Sequence, residues 1–366
     1  DPAVMYEDER GSFSNLTFAR PRSAPWVLEE PDEMEDFAQT SAPAIAIGTN
    51  SDLHLVLCGR LGGLVPSYRP KLLTYSGSSQ TLTDLPLPNA LFASQAVAFT
   101  PDGRLHIISL RVDNTAATSG DLLYTSGKPG GVFSVGAMVA SDVPIGDVIL
   151  KSDQSGTLTA AFLDPSGAKL SQLPAGGASW IELVTISSGD MRGLDLALRG
   201  DGAILASYYS SGGRMVHAYC NINPRDGAFL GAFENYDAHA LAPADHEPID
   251  TACSFAADGR PRLAFAKAGT MIHLSPLSAG PSRFMSREVG IGFDGATLEL
   301  ISKGTTSHIL AHSTEDGGTL HYTQVLNDLE SVNVNFAVPG LDLNPIVNSQ
   351  SFSASLDANG FPAVAV

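Results

Sequence analysis

The densest group of chemistry-bearing side chains lies in the fourteen residues from Asp237 to Asp250. It holds two histidines and four carboxylates: Asp237, His239, Asp245, His246, Glu247 and Asp250. Imidazole and carboxylate groups together can bind a transition metal or transfer protons near neutral pH. The order matches no known metal motif, and Pro243 and Pro248 indicate a loop, so a solvated polar loop is the alternative. We predict that Asp237 to Glu247 contributes to ligand binding.

A second set of carboxylates recurs at intervals of about fifty residues. Its members are Asp147, Asp195, Asp250 and Asp294, each close to the start of a stretch that has the pattern of a buried strand. Carboxylates that converge repel one another, which raises their pKa values or recruits a cation. We predict Ca²⁺ as that cation, because it prefers several oxygen ligands. The alternative is that each acid bonds separately to loop amides.

Two further groups of charged residues stand out. Glu29–Asp36 holds six carboxylates in eight residues, which is typical of a solvated loop or of a contact for calcium or a basic partner. Arg60 and Arg69 are predicted to lie on or near the loops that bind a ligand. Both arginines are therefore candidate binding residues.

Sequence signatures of catalysis are missing from the chain. It has no Gly-x-Ser-x-Gly elbow, no phosphate-binding glycine loop and no His-Glu-x-x-His motif. Its arginines are scattered rather than grouped as a sialidase-like hydrolase would need. We therefore expect a non-enzymatic binding or scaffold protein. The alternative is a glycoside hydrolase or lyase that uses Asp237, Asp245 and Asp250.

The elements that must position these residues form a repeat. Two apolar stretches joined by a polar turn with glycine recur along the chain, as in Gln95–Ile108 and Leu194–Ala206. The turn glycines follow one another every 45 to 57 residues: Gly103, Gly156, Gly202, Gly259, Gly304 and Gly360. Asp-Gly and Asn-Gly favour the positive φ angles of two-residue hairpin turns. A third strand of Leu-x-Tyr type and a fourth strand follow, and four strands per repeat of this length indicate a propeller blade.

We therefore predict an all-β protein, a seven-bladed β-propeller with four-stranded antiparallel blades, as a single domain over residues 1–366. Six blades cover approximately 43–88, 94–140, 146–186, 193–236, 249–290 and 295–338. The seventh joins 349–366 to 1–30, which closes the ring and removes two unpaired edges. Because Pro362–Val366 and Pro2–Tyr6 both resemble a second strand, a six-bladed ring with loose terminal strands is the alternative.

The Asp-Gly-turn repeat resembles the blades of bacterial sialidase-like or lectin-like β-propellers. Ser313–His321 is similar to the Asp-box of sialidases without its tryptophan. In a propeller, ligands usually bind on the face formed by the connections from strand two to strand three and from strand four to the next blade. The Asp-Gly turns lie on the opposite face, so Asp102, Asp201 and Asp258 are predicted to stabilise turns.

Composition narrows the partners and the surroundings of the protein. A net charge of −18 disfavours nucleic acid, and no apolar run is long enough to span a membrane. Cys58, Cys220 and Cys253 lack zinc spacing and are predicted to be buried thiols, with a Cys220–Cys253 pair as the alternative.

The start of the chain and its aromatic residues complete these expectations. The chain begins at Asp1 rather than at methionine, which indicates that an upstream segment was removed or that it was cut from a longer chain. We expect a monomeric protein of a bacterial exterior, periplasm or cell surface that binds a protein or a glycan. The only tryptophans, Trp26 and Trp180, fall in predicted outer strands, which weakens the lectin variant of this prediction.

Overall fold

The computed structural model describes residues 4–8, 15–21, 26–29, 37–39, 44–48, 50, 52–61, 67–76, 79–114, 116–186, 191–242, 250–267, 269–277, 283–290, 297–313, 319–328, 330–336, 353–356 and 362–365. Side chains are described within 44–58, 70–311 and 321–328. Every regular element in these ranges is a β-strand, and the strands form seven sheets, labelled A to G below. No helix in the described ranges is long and apolar enough to cross a membrane.

The chain divides into two compact units. The first holds Asp1–Pro165, Lys169–Val184 and Gly340–Val366, and the second holds Ser166–Ala168 and Thr185–Pro339. Sheets A to D lie almost wholly in the first unit, and sheets E to G lie in the second.

Sheet A joins the two ends of the chain. It contains β1 (Val4–Asp8), β2 (Asn15–Pro21), β3 (Trp26–Glu29), β29 (Ser353–Leu356) and β30 (Pro362–Ala365), in the order β29-β30-β1-β2-β3. The predicted pairing of the terminal fragments is confirmed, since β30 pairs with β1 in parallel, with Val364 opposite Val4. Both segments that resembled a second strand are used, because their unpaired backbone groups satisfy each other and make this sheet five-stranded.

Sheet B has a divided first strand. Both β4 (Phe37–Gln39) and β5 (Ala44–Ile47) pair with β6 (Leu53–Leu61), which is followed by β7 (Ser67–Ser76) and β8 (Ser79–Asp84). Sheet C contains β9 (Leu91–Phe99), β10 (Leu105–Val112), β11 (Ser119–Gly127) and β12 (Ala137–Pro144). Sheet D contains β13 (Val148–Ser152), β14 (Leu158–Asp164), β15 (Gly167–Leu173) and β16 (Ile181–Ile186).

The second unit repeats the four-stranded pattern three times. Sheet E contains β17 (Met191–Leu198), β18 (Ile204–Ser210), β19 (Met215–Ile222) and β20 (Phe229–Ala240). Sheet F contains β21 (Thr251–Phe255), β22 (Pro261–Lys267), β23 (Thr270–Pro276) and β24 (Phe284–Gly290). Sheet G contains β25 (Thr297–Lys303), β26 (Thr306–Ser313), β27 (Thr319–Leu326) and β28 (Glu330–Phe336).

Successive sheets pack through their first strands. In the first unit β5 contacts β9 and β9 contacts β13, and in the second unit β17 contacts β21 and β21 contacts β25. Sheets C to G follow chain order from strand one to strand four in antiparallel pairs, which is the arrangement of propeller blades. The predicted all-β propeller fold is therefore confirmed. The number of blades in a closed ring stays a prediction.

Glycine turns join the first and second strands of five sheets. The φ angles are 76°, 85°, 88°, 75° and 62° at Gly103, Gly156, Gly202, Gly259 and Gly304. The carboxylate before the glycine holds the turn, as where Asp102 accepts the backbone N–H of Arg104 at 3.2 Å. Asp201 and Asp258 accept backbone N–H groups two residues ahead in the same way, so their predicted role in the turns is confirmed.

Apolar side chains fill the space between neighbouring sheets. One buried cluster joins sheets C and D through residues such as Ile108, Leu150 and Phe162, and a larger one joins E, F and G. Cys58, Cys220 and Cys253 are buried thiols that form no disulfide, so the prediction of buried thiols is confirmed and the Cys220–Cys253 pair is absent. Burial raises the pKa of Cys58 and of Cys220, which keeps both thiols protonated at neutral pH.

Candidate functional site

The predicted histidine and carboxylate group falls partly on the last strand of sheet E. Asp237 lies on β20 opposite His217, with 3.3 Å between its Oδ1 and Nδ1 of the histidine, and its side chain is 73% exposed. His239 lies two residues further on and packs its ring 5.1 Å from that of Phe265 in sheet F. Asp245, His246 and Glu247 lie outside the described residues, so ligand binding by the whole group stays a prediction.

The predicted arginines lie on neighbouring strands of sheet B. Arg60 on β6 pairs with Tyr68 on β7, and Arg69 pairs with Gly59. The two positions are thus diagonal neighbours in the backbone register. Most of the acidic segment after Glu29 and the centre of Ser313–His321 fall outside the described residues.

Two of the four acids predicted to hold a cation bond to backbone amides. Oδ2 of Asp195, a buried residue on β17, accepts the backbone N–H of Cys253 on β21 at 2.7 Å. Oδ2 of Asp250 accepts the N–H of Leu298 on β25 at 2.8 Å, and its Oδ1 accepts the N–H of Thr251 at 2.9 Å. Each acid therefore links the first strand of one sheet to the first strand of the next.

These bonds correspond to the alternative in which the acids bond separately to amides. Asp147 is half-buried just before β13, and Asp294 lies outside the described residues. Within the described part of the chain, no three His, Cys, Asp or Glu side chains are grouped as metal ligands would be. A calcium site shared by all four acids stays a prediction.

The candidate site is a pocket between sheets C and D in the first unit, here called the C–D pocket. It has a volume of about 520 Å³, within the range of ligand sites. None of its lining side chains carries a charge: Tyr124, Ser126, Ser134, Val135, Ala137, Met138, Val139, Leu173, Gly177, Ala178, Ser179 and Trp180. An uncharged lining favours an uncharged ligand group.

The connections from third to fourth strand build this pocket. In sheet C the connection 128–136 folds back on β11, where the Ser134 N–H donates to the Ser126 carbonyl at 2.8 Å. Phe133 anchors it against Gly127, where an added Cβ would lie 2.7 Å from the phenyl Cγ. In sheet D the Gly177 N–H closes a tight turn on the Pro174 carbonyl at 2.7 Å. Both connections are thus fixed to the sheets that carry them.

Two aromatic side chains meet at the wall of the pocket. The Tyr124 and Trp180 rings are edge to face at 83°, with 5.6 Å between their centroids. Both pack against the apolar cluster between sheets C and D. The indole Nε1 of Trp180 is buried and has no hydrogen-bond partner among the described residues. A buried N–H without a partner is unfavourable.

A chain of hydrogen bonds fixes the orientation of the Tyr124 hydroxyl. The Thr100 hydroxyl donates to Asp102 Oδ1 at 2.6 Å and accepts from Nε2 of His106 at 2.9 Å. With its proton on Nε2, His106 accepts the Tyr124 hydroxyl through Nδ1 at 2.7 Å. Burial lowers the pKa of His106 to about 4 and raises the pKa of Tyr124. Both groups are therefore neutral at pH 7, and the phenol is a hydrogen-bonding group rather than a nucleophile.

The same histidine–tyrosine pair recurs in sheet G. Nδ1 of His308 lies 2.7 Å from the Tyr322 hydroxyl, and the two rings stack with 6.0 Å between their centroids. His106 and Tyr124 show the same centroid distance. Because the pair recurs, it belongs to the blade framework, and what distinguishes Tyr124 is Trp180 from the neighbouring sheet.

Exposed apolar side chains lie in and beside the segments that line the pocket, and together they are here called the apolar rim. Val132 and Val135 in the sheet C connection are 93% and 80% exposed, and Met138 at the start of β12 is 61% exposed. On β16, which follows Trp180 in sheet D, Ile181 and Leu183 are 55% and 39% exposed. A grouped set of exposed apolar residues on a soluble protein marks an interaction surface.

Comparison with known proteins gives the fold. No family model and no curated protein matches the chain. Among solved structures, Aleuria aurantia lectin in complex with Fucα1-6GlcNAc aligns over 84% of this chain and 99% of its own, at 12% identity and a TM-score of 0.49. Prolyl oligopeptidase B from Galerina marginata aligns over 96% of this chain and 51% of its own, at 11% identity and a TM-score of 0.52.

A sialidase from Trypanosoma rangeli aligns over 94% of this chain and 59% of its own, at 10% identity and a TM-score of 0.46. The likeness is one of fold. No specific family is shown. At these identities the function has to be argued from the residues of this chain.

Proposed function

We propose that the protein is a non-enzymatic binding module and that the C–D pocket receives an uncharged group of its partner. The observation that carries the proposal is the uncharged aromatic pocket inside the apolar rim. Such a pocket orders a partner by burying an anchor group, while the surrounding contacts exclude water. The fixed connections of sheets C and D support this role, because a pre-formed site loses little entropy on binding.

The chemistry of the pocket favours binding over catalysis. General acid–base catalysis needs a group whose pKa lies near the working pH. Burial moves the two pKa values of this pocket away from neutrality, because it raises the pKa of Tyr124 and lowers the pKa of His106. No carboxylate lines the pocket. Of the acids named for the alternative hydrolase or lyase, Asp250 has both oxygens bonded to backbone amides, which holds it in a structural link.

Arrays of oligosaccharides and of peptides, probed with the wild type and with variants of the pocket, test this function. We expect ligands that bind the wild type to lose most of their affinity for Trp180→Ala and for the surface variant Val135→Lys. The second variant guards against misfolding, because Val135 is 80% exposed. Tyr124→Phe removes the hydrogen bond from the pocket tyrosine to His106. Tyr322→Phe is its matched control, because it removes the same kind of hydrogen bond to a histidine in sheet G, away from the pocket.

Two results would overturn the proposal. One is binding that Trp180→Ala and Val135→Lys leave unchanged, which would place the site elsewhere. The other is hydrolysis or elimination of a chromogenic glycoside by the wild type that Asp250→Asn abolishes, which would favour the enzyme alternative. Circular dichroism of each variant verifies that its strands are retained.

A further inference from the structure

The partner class can be narrowed from the rim and wall of the C–D pocket. This step rests on the proposed function. Its first observation is that the exposed rim is aliphatic: Val132, Val135, Met138, Ile181 and Leu183. Val135 and Met138 also line the pocket, so an apolar group that enters it gains by covering them. A sugar, whose hydroxyls point outward, would leave much of this rim in water.

Several polar groups in and beside the wall are already engaged within the protein. The Tyr124 hydroxyl donates to His106, the Ser134 hydroxyl accepts the Ser126 N–H at 3.0 Å, and Thr125 donates to the Ser134 carbonyl. A buried sugar needs a partner for each of its hydroxyl groups, because an unpaired buried hydroxyl is unfavourable. No Asp, Glu, Asn, Gln, Arg or Lys lines the pocket to supply these partners. The wall therefore fits an apolar or aromatic side chain better than a sugar ring.

Charge indicates what surrounds that side chain. The chain carries a net charge of −18, so a second copy of it or another acidic protein is repelled. The strands beside the pocket carry exposed carboxylates, Asp142 on β12 and Glu182 on β16. Lys169 pairs with Glu182 at 3.5 Å and with Asp164 at 3.3 Å, which leaves this three-residue group net negative. Lys128 is also exposed at the start of the connection 128–136, so basic residues on the partner complement the edge that carries Asp142 and Glu182 rather than the connection.

We infer that the C–D pocket is the docking site for a basic protein segment that inserts one apolar or aromatic anchor side chain between Tyr124 and the apolar rim. The anchor contacts Trp180 and covers Met138 and Ile181. Lysine or arginine residues beside it face Asp142 and Glu182. Burial of the anchor supplies affinity, and the charges set orientation and rate of association.

Short lysine-rich peptides with one central phenylalanine, and matched peptides with serine in its place, test the inference. Trp26→Phe leaves Trp180 as the only indole of the protein, so its fluorescence reports binding directly. We expect phenylalanine peptides to shift the Trp180 emission with saturation and serine peptides to bind more than about tenfold more weakly. Met138→Ser should weaken binding of the phenylalanine peptide by a similar factor. Glu182→Lys should also weaken this binding and should make it depend less on the salt concentration.

Phe229→Ser in sheet E is the matched control. Phe229 is 55% exposed near the start of β20, as Met138 is near the start of β12, so the change removes a similar area of apolar surface away from the pocket. We expect unchanged peptide binding in this variant. An equal loss in Phe229→Ser and Met138→Ser, or equal binding of the serine and phenylalanine peptides, overturns the inference.

Neutral oligosaccharides are tested in parallel on the same variants. Oligosaccharide binding that depends on Trp180, without anchored-peptide binding, overturns the protein partner and leaves the binding function standing. Absence of pocket-dependent binding for both probe classes overturns the inference together with the proposed function.

Discussion

Asp195 on the first strand of sheet E accepts the backbone N–H of Cys253 on the first strand of sheet F, 2.7 Å away. The carboxylate is only 8% exposed, so this hydrogen bond forms where water is largely excluded. One sheet later, Asp250 makes the corresponding link to Leu298. Side-chain acceptors thus join neighbouring sheets whose first strands share no backbone ladder in the described residues.

Removal of the Asp195 carboxylate should loosen the contact between sheets E and F. We expect Asp195→Ala to lower the free energy of unfolding by about 2 kcal/mol, because a buried N–H loses its charged acceptor. Asp195→Asn keeps an acceptor oxygen and should lose less. Urea titration followed by circular dichroism measures both variants.

The same pair of variants addresses the predicted calcium site. If the four acids held a cation, added Ca²⁺ would raise the melting temperature of the wild type and not that of Asp195→Ala. A calcium-dependent rise of this kind would contradict the role of Asp195 as a link between sheets alone.

His106 should make stability depend on pH. Its pKa is lowered by burial to about 4 in the folded protein, whereas an unfolded histidine titrates near 6.5. Between these values the unfolded state binds more protons, so the free energy of unfolding is highest above pH 6.5 and falls as the pH decreases toward 4. Protonation of Nδ1 also removes the acceptor that holds the Tyr124 hydroxyl.

The variant His106→Gln isolates this contribution. Urea titrations at pH 7 and pH 4.5 should show a smaller loss of stability in the variant than in the wild type. A loss remains, because burial lowers the pKa of His54 and of His273 to about 4 as well. An equal loss in variant and wild type would show that His106 titrates as it does in the unfolded chain.

Local rules were sufficient to predict the blades. Gly103, Gly202 and Gly259 adopt the positive φ that their Asp-Gly context favours, and alternating apolar residues identify the strands on either side. The pairing of the two termini followed from the need to satisfy edge strands. The fifth strand of sheet A could not be predicted, because nothing in Pro362–Ala365 indicates that it pairs in parallel with β1.

The site depends on distances between sheets, which a one-dimensional pattern does not contain. The repeat assigned Tyr124 to a third strand and Trp180 to the fourth, yet the 5.6 Å between their rings results from how sheets C and D pack. By the general rule for propellers, ligands were expected at the connections from strand two to three and from strand four to the next blade. The C–D pocket is instead formed by connections from strand three to four, at the same end of each sheet as the Asp-Gly turns.

One local signal for this pocket was present. Residues 128–136 form a long connection that is rich in glycine and carries Val132, Phe133 and Val135. Three large apolar residues in a turn-rich segment are unusual for a solvated loop, and only Phe133 is buried. Apolar residues within a predicted connection therefore indicate the rim, whereas the charged clusters of the sequence do not.

Gly127 should control the shape of the C–D pocket without lining it. A Cβ at this position would lie 2.7 Å from Cγ and 2.8 Å from Cα of Phe133, which is itself buried at 6% exposure. Gly127→Ala must therefore displace the connection 128–136, and overpacking of this kind lowers the free energy of unfolding by about 1–3 kcal/mol. The displaced connection carries Ser134 and Val135 away from Trp180, so ligand binding should fall with stability.

Gly212→Ala provides the control for Gly127→Ala, because nothing lies within 4 Å of an added Cβ there. We expect wild-type stability and wild-type binding in this variant, measured by thermal unfolding and by Trp180 fluorescence in the Trp26→Phe background. If Gly127→Ala behaved like Gly212→Ala in both measurements, Phe133 could not be the anchor that fixes the connection. The wall of the pocket would then have to be held by the Ser126–Ser134 hydrogen bonds alone.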